Sequence, residues 1–230
     1  MTSPAWAPSP SGHAPSARAG QPLTSISRML GEAQGLRQRC SRDLLSSLSA
    51  KLCSHILERH PRCPAASFAF FLPLFDEPDL LSLAQAWHRQ GAIACLPAPL
   101  VPGEPLSFWP WDFEALLEPG DSRMEWPAPL HGARAILPGL ILTPCALFDQ
   151  AGRRAGYGQG LYQRTLRAAR LSSPGIQILG CSLESSRAPL GSLPGDPALD
   201  GLATEQGCFD TSRPAILPRA PISSQDASAS

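Results

Sequence analysis

Three glycines on alternate positions, Gly156, Gly158 and Gly160, follow a pair of arginines and precede a helical pattern. Glycines at this spacing remove side chains from the loop, so its backbone N–H groups can approach a ligand closely. A helix that begins directly after such a loop presents unpaired N–H groups and the positive end of its dipole, which favour phosphate. Arg153 and Arg154 add guanidinium groups that match phosphate oxygens. The segment predicts a site for a phosphate-bearing ligand; taken alone, the same loop is also typical of a turn that binds nothing.

The composition of the 230-residue chain argues against several classes of partner. Nineteen basic and nineteen acidic residues give no net charge, whereas proteins that bind nucleic acid or a membrane surface usually carry a basic excess. The sequence contains no G-x-x-x-x-G-K-[ST] motif, and its single lysine is Lys51, which argues against a P-loop phosphotransferase. Its seven cysteines lack metal-site spacing and predict reduced thiols in a cytoplasmic protein.

The first half of the chain predicts alternating helices and strands. Apolar residues at helical spacing predict a helical region over 25–60 with Asp43 as a cap. The continuous apolar run over 66–72 predicts a strand covered on both faces. Pro78 is typical of the first position of a helix, which Gly91 would end before a second buried strand.

The second half continues this pattern towards the glycine loop. Residues 98–130 are rich in proline and tryptophan and predict at most short antiparallel strands. Buried strands are predicted over 140–143 and 176–179, with a helix over 161–170 between them. A strand–helix–strand order implies parallel crossovers and an α/β fold. We expect one domain over 25–211, with disordered tails at 1–24 and 212–230.

The loop and its surroundings resemble the 5-formyltetrahydrofolate cyclo-ligase (5,10-methenyltetrahydrofolate synthetase) family, as a divergent member. The family signature P-G-x-x-F-D-x-x-G-x-R-x-G-x-G-x-G-Y-Y-D is similar to the stretch from Pro144 to Gln163. Phe71-x-Pro73-Leu74-x-x-Glu77 resembles the family's folate segment, and the closing pattern G…D-x-x-x-D-x-x-x-T-E matches the stretch from Gly180 to Glu205. Leu36-Arg37 resembles the end of an N-terminal K-x-x-x-R element.

The resemblance implies a three-layer α/β/α sandwich with a mainly parallel sheet, similar to the sugar-phosphate isomerase and coenzyme A transferase-like group. It implies a monomer that uses ATP and Mg²⁺ to phosphorylate the formyl oxygen of 5-formyltetrahydrofolate, after which N10 attacks the formyl carbon. Loss of phosphate then leaves 5,10-methenyltetrahydrofolate. The implied ATP-binding residues are Arg37, Arg154, which is also the catalytic residue, Gly156, Gly158, Gln159, Gly160 and Tyr162. The implied folate-binding residues are Leu72, Glu77 and Tyr157, and Asp196 is the implied magnesium ligand.

The sequence departs from the family pattern at two charged positions. Ala33 replaces the N-terminal lysine, and Gln163 replaces the aspartate after the second tyrosine. These changes leave open a second reading, a non-catalytic member that binds folate or nucleotide. Simpler roles also stay open for single residues: Glu77 as a first-turn helix acid, Asp196 as part of a turn, and Arg37 as a solvated helix residue.

Overall fold

A seven-stranded sheet forms the centre of the described fold. The computed structural model describes residues 22–74, 76–101, 103–115, 134–158, 160–193 and 199–211. The strands of this sheet are β1 (Ser67–Ala69), β2 (Ile93–Ala98), β3 (Ser107–Pro110), β4 (Leu140–Pro144), β7 (Gln177–Cys181), β8 (Gly201–Thr204) and β9 (Gly207–Asp210). A separate hairpin consists of β5 (Leu147–Phe148) and β6 (Arg154–Ala155). The helices are α1 (Pro22–Gln38), α2 (Arg42–Arg59), α3 (Leu81–Arg89) and α4 (Leu161–Ser172), with a short 3-10 helix at Glu184–Ser186.

The strands of the large sheet follow the order β3-β2-β1-β4-β7-β8-β9. The five inner strands, which are β2, β1, β4, β7 and β8, pair in parallel with their neighbours among them. The edge strands β3 and β9 pair antiparallel with β2 and β8. The predicted parallel crossovers are confirmed, and β3 is a short antiparallel strand within the region 98–130. Residues 102 and 116–130 of that region lie outside the described residues.

The predicted N-terminal helical region consists of the two helices α1 and α2, and its predicted cap is wrong. Ser41 caps α2, because its extended backbone lets the hydroxyl accept a hydrogen bond from the N–H of Leu44 over 3.2 Å. Asp43 lies in the first turn, where its charge favours the helix dipole instead. α1 begins at Pro22, inside the segment predicted as a tail. The remainder of the predicted tails, 1–21 and 212–230, lies outside the described residues.

The helix α3 begins at Leu81, three residues after the predicted start at Pro78. Asp79 explains the difference: its N–H donates to the hydroxyl of Ser49 over 3.1 Å, and its carboxylate accepts from the N–H of Leu81 over 2.8 Å. These bonds hold the segment before Leu81 outside the helix. Gly91 follows the helix with a φ of 96° and ends it as predicted.

Two apolar layers cover the sheet, as the three-layer prediction requires. Phe68 and Leu140 face α2 and α3, and they belong to a core cluster that includes Trp87. Their neighbours Ala69 and Ile141 face α4 on the opposite side. The alternation follows from the two-residue period of a strand, and it confirms the α/β/α sandwich.

The helix α1 packs apart from these layers. Ala33 is buried in a small cluster with Leu147, Ala188 and Leu193. This cluster places α1 against the β5–β6 hairpin and the segment after the 3-10 helix. Among the described residues, no helix is long and apolar enough to cross a membrane.

Candidate active site

The candidate site lies where the chain order reverses across the sheet. β1 continues through α3 to β2 on one side, whereas β4 continues through α4 to β7 on the other. The segments that follow β1 and β4 therefore diverge at the carboxyl ends of these strands, which is where ligands bind in open α/β sheets. These segments, 70–80 and 145–160, carry the predicted folate residues and most of the predicted ATP residues.

The β5–β6 hairpin contains the predicted turn and is held by one buried carboxylate. Gly152 has a φ of 77°, and its N–H donates to the carbonyl oxygen of Asp149 over 3.0 Å. The Asp149 carboxylate accepts from the N–H groups of Ala151 and Arg153 over 3.0 Å each and from that of Gly191 over 3.1 Å. The turn is confirmed, and Asp149 fixes it to the segment around Gly191.

The guanidinium of Arg154 lies at the carboxyl end of β4, beside the glycine loop. Its Nε and Nη2 donate to the carbonyl oxygen of Pro144 over 3.2 and 2.8 Å. The guanidinium carbon is 5.7 Å from the centre of the Tyr162 ring, within cation–π distance. A β-carbon on Gly156 would lie 3.3 Å from Nη2, so glycine leaves room for the arginine. Arg154 is 8% exposed, and its charge is fixed in place.

The glycine loop leads directly into α4, and the N-cap residue of this helix is itself a glycine. Gly158 and Gly160 have φ values of 101° and 65°, a region that favours glycine. Gly160 is the N-cap residue of α4, and because it has no side chain it cannot cap the first N–H groups of the helix. The first turn of α4 contains no acidic residue. This arrangement favours an anion. Gln159, a predicted ATP residue, lies outside the described residues.

Glu77 is a buried carboxyl group that lies within electrostatic reach of Arg37 and Arg154. Its side chain is almost fully covered, and one oxygen accepts from the N–H of Leu74 over 3.1 Å. Burial raises the pKa of Glu77 to about 7, and Asp76 adds to the rise, while the bond from Leu74 and the charges of Arg37 and Arg154 oppose it. Because Glu77 precedes α3, its reading as a first-turn helix acid is wrong.

The two tyrosines of the site lie close enough to this carboxyl group to sense its charge. Leu72 packs against the main core, as does Tyr162. Burial raises the pKa of Tyr162, and the charge of Glu77 adds to the rise. Tyr157 is 47% exposed. Partial burial raises the pKa of Tyr157 to about 12. The charge of Arg37 opposes this rise, and the charges of Asp76 and Glu77 add to it. Of the predicted folate residues, Glu77 and Tyr157 are therefore close enough to influence one another electrostatically.

Arg37 is buried and engaged by protein acceptors. Its Nε donates to Asp76 Oδ2 over 2.7 Å, and its Nη1 donates to the carbonyl oxygen of Ala146 over 3.2 Å and to the hydroxyl of Ser186. Its Nη2 donates to the hydroxyl of Tyr157 over 3.2 Å. The reading of Arg37 as a solvated residue is wrong, because only 3% of it is exposed. Its contact with ATP stays a prediction.

Sequence reasoning missed Asp76 as a residue of the site. It is 4% exposed and pairs with Arg37, which lies 39 positions earlier in the chain. The sequence does contain a signal, because Asp76 stands beside Glu77 shortly after a buried apolar run. A carboxylate that is buried there needs a partner with the opposite charge, since burying it alone is costly.

The predicted magnesium site falls largely outside the described part of the chain. Asp196, its predicted ligand, lies outside the described residues, as does the turn that contains it. Within the described ranges, no group of three or more histidine, cysteine, aspartate or glutamate side chains could hold a metal ion. Gln163 lies exposed in the first turn of α4 and brings no charge to the site.

A cavity of about 430 Å³ lies at the opposite edge of the sheet, near the amino ends of β4 and β7. Its lining includes Arg59, which pairs with Asp210, and Arg170, which pairs with Asp200. Both arginines therefore already have carboxylate partners. The predicted site residues do not line this cavity.

The architecture places the chain in a class of three-layer α/β proteins with a site at the reversal of strand order. Solved structures of 5,10-methenyltetrahydrofolate synthetases share this fold. The synthetase from Mycoplasma pneumoniae is 15% identical with a TM-score of 0.61, covering 78% of this chain and 98% of that one. The synthetase from Aquifex aeolicus is 21% identical with a TM-score of 0.66, covering 86% and 98%. At these identities the likeness establishes the fold. The sequence matches no protein-family model and no curated protein.

Proposed function

We propose that this protein is an ATP- and Mg²⁺-dependent ligase that converts 5-formyltetrahydrofolate to 5,10-methenyltetrahydrofolate, releasing ADP and phosphate. One observation carries the proposal: the buried carboxyl group of Glu77, the guanidinium of Arg154 and the start of α4, where the N-cap residue is a glycine, lie together at the reversal of strand order. The fold shared with two 5,10-methenyltetrahydrofolate synthetases supports the same reaction. We further propose that the protein acts as a cytoplasmic monomer.

In this proposal the chain supplies positioning and charge neutralisation. The γ-phosphoryl group of ATP passes to the formyl oxygen, N10 attacks the formyl carbon, and the oxygen leaves with the phosphate. Arg154 and the N–H groups at the start of α4 would stabilise the negative charge of the phosphoryl group. Magnesium, when bound, would neutralise part of the same charge, with Asp196 as its ligand.

Glu77 would contact the folate. Because its pKa lies at about 7, both protonation states are populated near neutral pH. The protonated carboxyl group can donate a hydrogen bond, and the ionised group only accepts. Leu72 and the ring of Tyr157 would provide apolar surface for the same ligand.

The test is a turnover assay that follows the near-ultraviolet absorbance of the methenyl product. We expect product only when ATP, Mg²⁺ and 5-formyltetrahydrofolate are all present. Arg154→Met should lower turnover about a hundred-fold or more, the usual loss when a donor to developing charge is removed. Arg167→Met, an exposed position on α4, is the matched control and should turn over like the wild type. Absence of product, under conditions where a known synthetase is active, would refute the proposal.

A second candidate function is a non-catalytic member that binds folate or nucleotide. The exposed Gln163 at the start of α4 favours it, because an amide brings no charge to a metal site. Gln163→Asp restores the carboxylate, and Gln163→Asn is a control of the same size without the charge. A large gain in turnover for the aspartate variant alone would identify a weakened enzyme. Ligand binding by isothermal titration calorimetry, with no turnover in any variant, would identify the binding protein.

A further inference from the structure

The hydrogen bonds of Arg37 join three separate parts of the candidate site. Asp76 belongs to the segment after β1, Ser186 to the 3-10 helix, and Tyr157 to the glycine loop. We propose that Arg37, held by Asp76, is a positioning residue that fixes the hydroxyl of Tyr157 and thereby the conformation of the glycine loop. The identity of the ligands in this proposal rests on the proposed function. The positioning of the glycine loop rests only on the hydrogen bonds of Arg37.

The ion pair with Asp76 fixes the orientation of the guanidinium. The two side chains are 2% and 6% exposed, and the Nε to Oδ2 distance is 2.7 Å. The other oxygen, Oδ1, is buried and has no hydrogen-bond partner among the described residues, so Arg37 is the group that compensates this carboxylate. Because a guanidinium is planar, bonds from Nε to Asp76 and from Nη1 to Ala146 and Ser186 also determine where Nη2 lies.

The loop needs such an anchor because its sequence provides little stiffness. Tyr157 stands between Gly156 and Gly158, and glycine loses more conformational entropy on ordering than any other residue. The ring of Tyr157 is about half exposed, so packing alone holds it weakly. The bond from Arg37 Nη2 to its hydroxyl, at 3.2 Å, ties the centre of the loop to the buried pair.

Hydrogen–deuterium exchange of the peptide covering residues 154–161, measured without ligands, tests the positioning role. Tyr157→Phe removes only the hydroxyl and should raise loop exchange about five-fold, the effect of one net hydrogen bond. Arg37→Met should raise it at least as much, and the double variant should exchange no faster than Arg37→Met alone. Arg39→Met is the matched control, because Arg39 is an exposed arginine two positions after Arg37, and the loop of this variant should exchange like the wild type.

Two outcomes would overturn the proposal. One is unchanged loop exchange in Tyr157→Phe; the other is additive increases in the double variant, which would mean that Arg37 and Tyr157 act independently. If Arg37→Met does not fold, because Asp76 is left buried without a counter-charge, Tyr157→Phe alone still decides through its own exchange. The exchange rates of the loop do not depend on whether the wild type turns over folate.

Steady-state kinetics then separates positioning from direct contact with ATP. If Arg37 acts through Tyr157, Tyr157→Phe and Arg37→Met should raise the KM for ATP by similar factors, and the double variant should match the larger one. If Arg37 instead binds phosphate directly, Arg37→Met should raise this KM while Tyr157→Phe keeps the wild-type value, and the proposal fails. A wild type without turnover would refute the proposed function and leave the exchange result standing.

Discussion

Replacing Glu77 with glutamine should remove a pH dependence of stability that burial creates. The pKa of Glu77 rises from an ordinary value of 4.5 to about 7 in the folded protein. Between these values the folded state binds more protons than the unfolded state, so the contribution of Glu77 to stability falls as pH rises through this range. Each unit of pKa difference corresponds to about 1.4 kcal/mol. The free energy of unfolding that Glu77 contributes at low pH and loses above pH 7 is therefore at most about 3 kcal/mol.

Glutamine is neutral at every pH of this range, and its side-chain oxygen can still accept from the N–H of Leu74. We therefore expect Glu77→Gln to gain up to about 3 kcal/mol over the wild type on going from pH 5 to pH 8. Urea unfolding at both pH values measures the difference directly. Glu104→Gln, at an exposed glutamate, should follow the wild-type curve. Parallel pH dependence in Glu77→Gln and the wild type would refute the reasoning, because it would mean that the carboxyl group is not desolvated.

Three further substitutions test the framework of the site, each by urea unfolding. Asp149→Ala removes the acceptor of three backbone N–H groups and should cost about 2–4 kcal/mol; a loss below about 1 kcal/mol would contradict this role. Gly180→Ala places a β-carbon 2.5 Å from a leucine methyl and should cost about 1–3 kcal/mol, whereas Gly175→Ala meets nothing within 4 Å and should be close to neutral. Ser41→Ala should cost about 1 kcal/mol and Asp43→Ala less, because the serine is the cap; the reverse order would contradict the structure.

Buried strands and the helix after the loop could be predicted because each is specified by its own residues. The apolar run that contains Phe68 can be buried only between two layers, and the alternation of strands with helices requires parallel pairing. The helix α4 follows the glycine loop, in which Gly158 and Gly160 adopt positive φ values that a right-handed helix does not contain. In each case the local pattern and the tertiary contact favour the same structure.

Elements defined by distant contacts escaped prediction. β8 begins at Gly201, a residue disfavoured in strands, yet a β-carbon there would lie 3.0 Å from a methyl group of Leu179 in β7. Only the pairing with β7 reveals that glycine fits best. The start of α3 depends likewise on Asp79 reaching Ser49, which lies 30 positions earlier. No local propensity contains that information.

The two departures from the family pattern also differ in whether local sequence or distant contacts explain them. Gln163 is exposed at the start of α4, so an aspartate there changes the charge of the site without disturbing the core. Ala33 is 3% exposed and packs against Leu147, Ala188 and Leu193. A lysine at that position would have to carry its ammonium group out of an apolar cluster, and burying an unpaired charge is costly. Replacing Ala33 with lysine would therefore disturb the docking of α1, and through α1 the placement of Arg37. Ala33 thus belongs to the packing that holds Arg37 against the glycine loop, a role that the sequence pattern alone presents only as a missing charge.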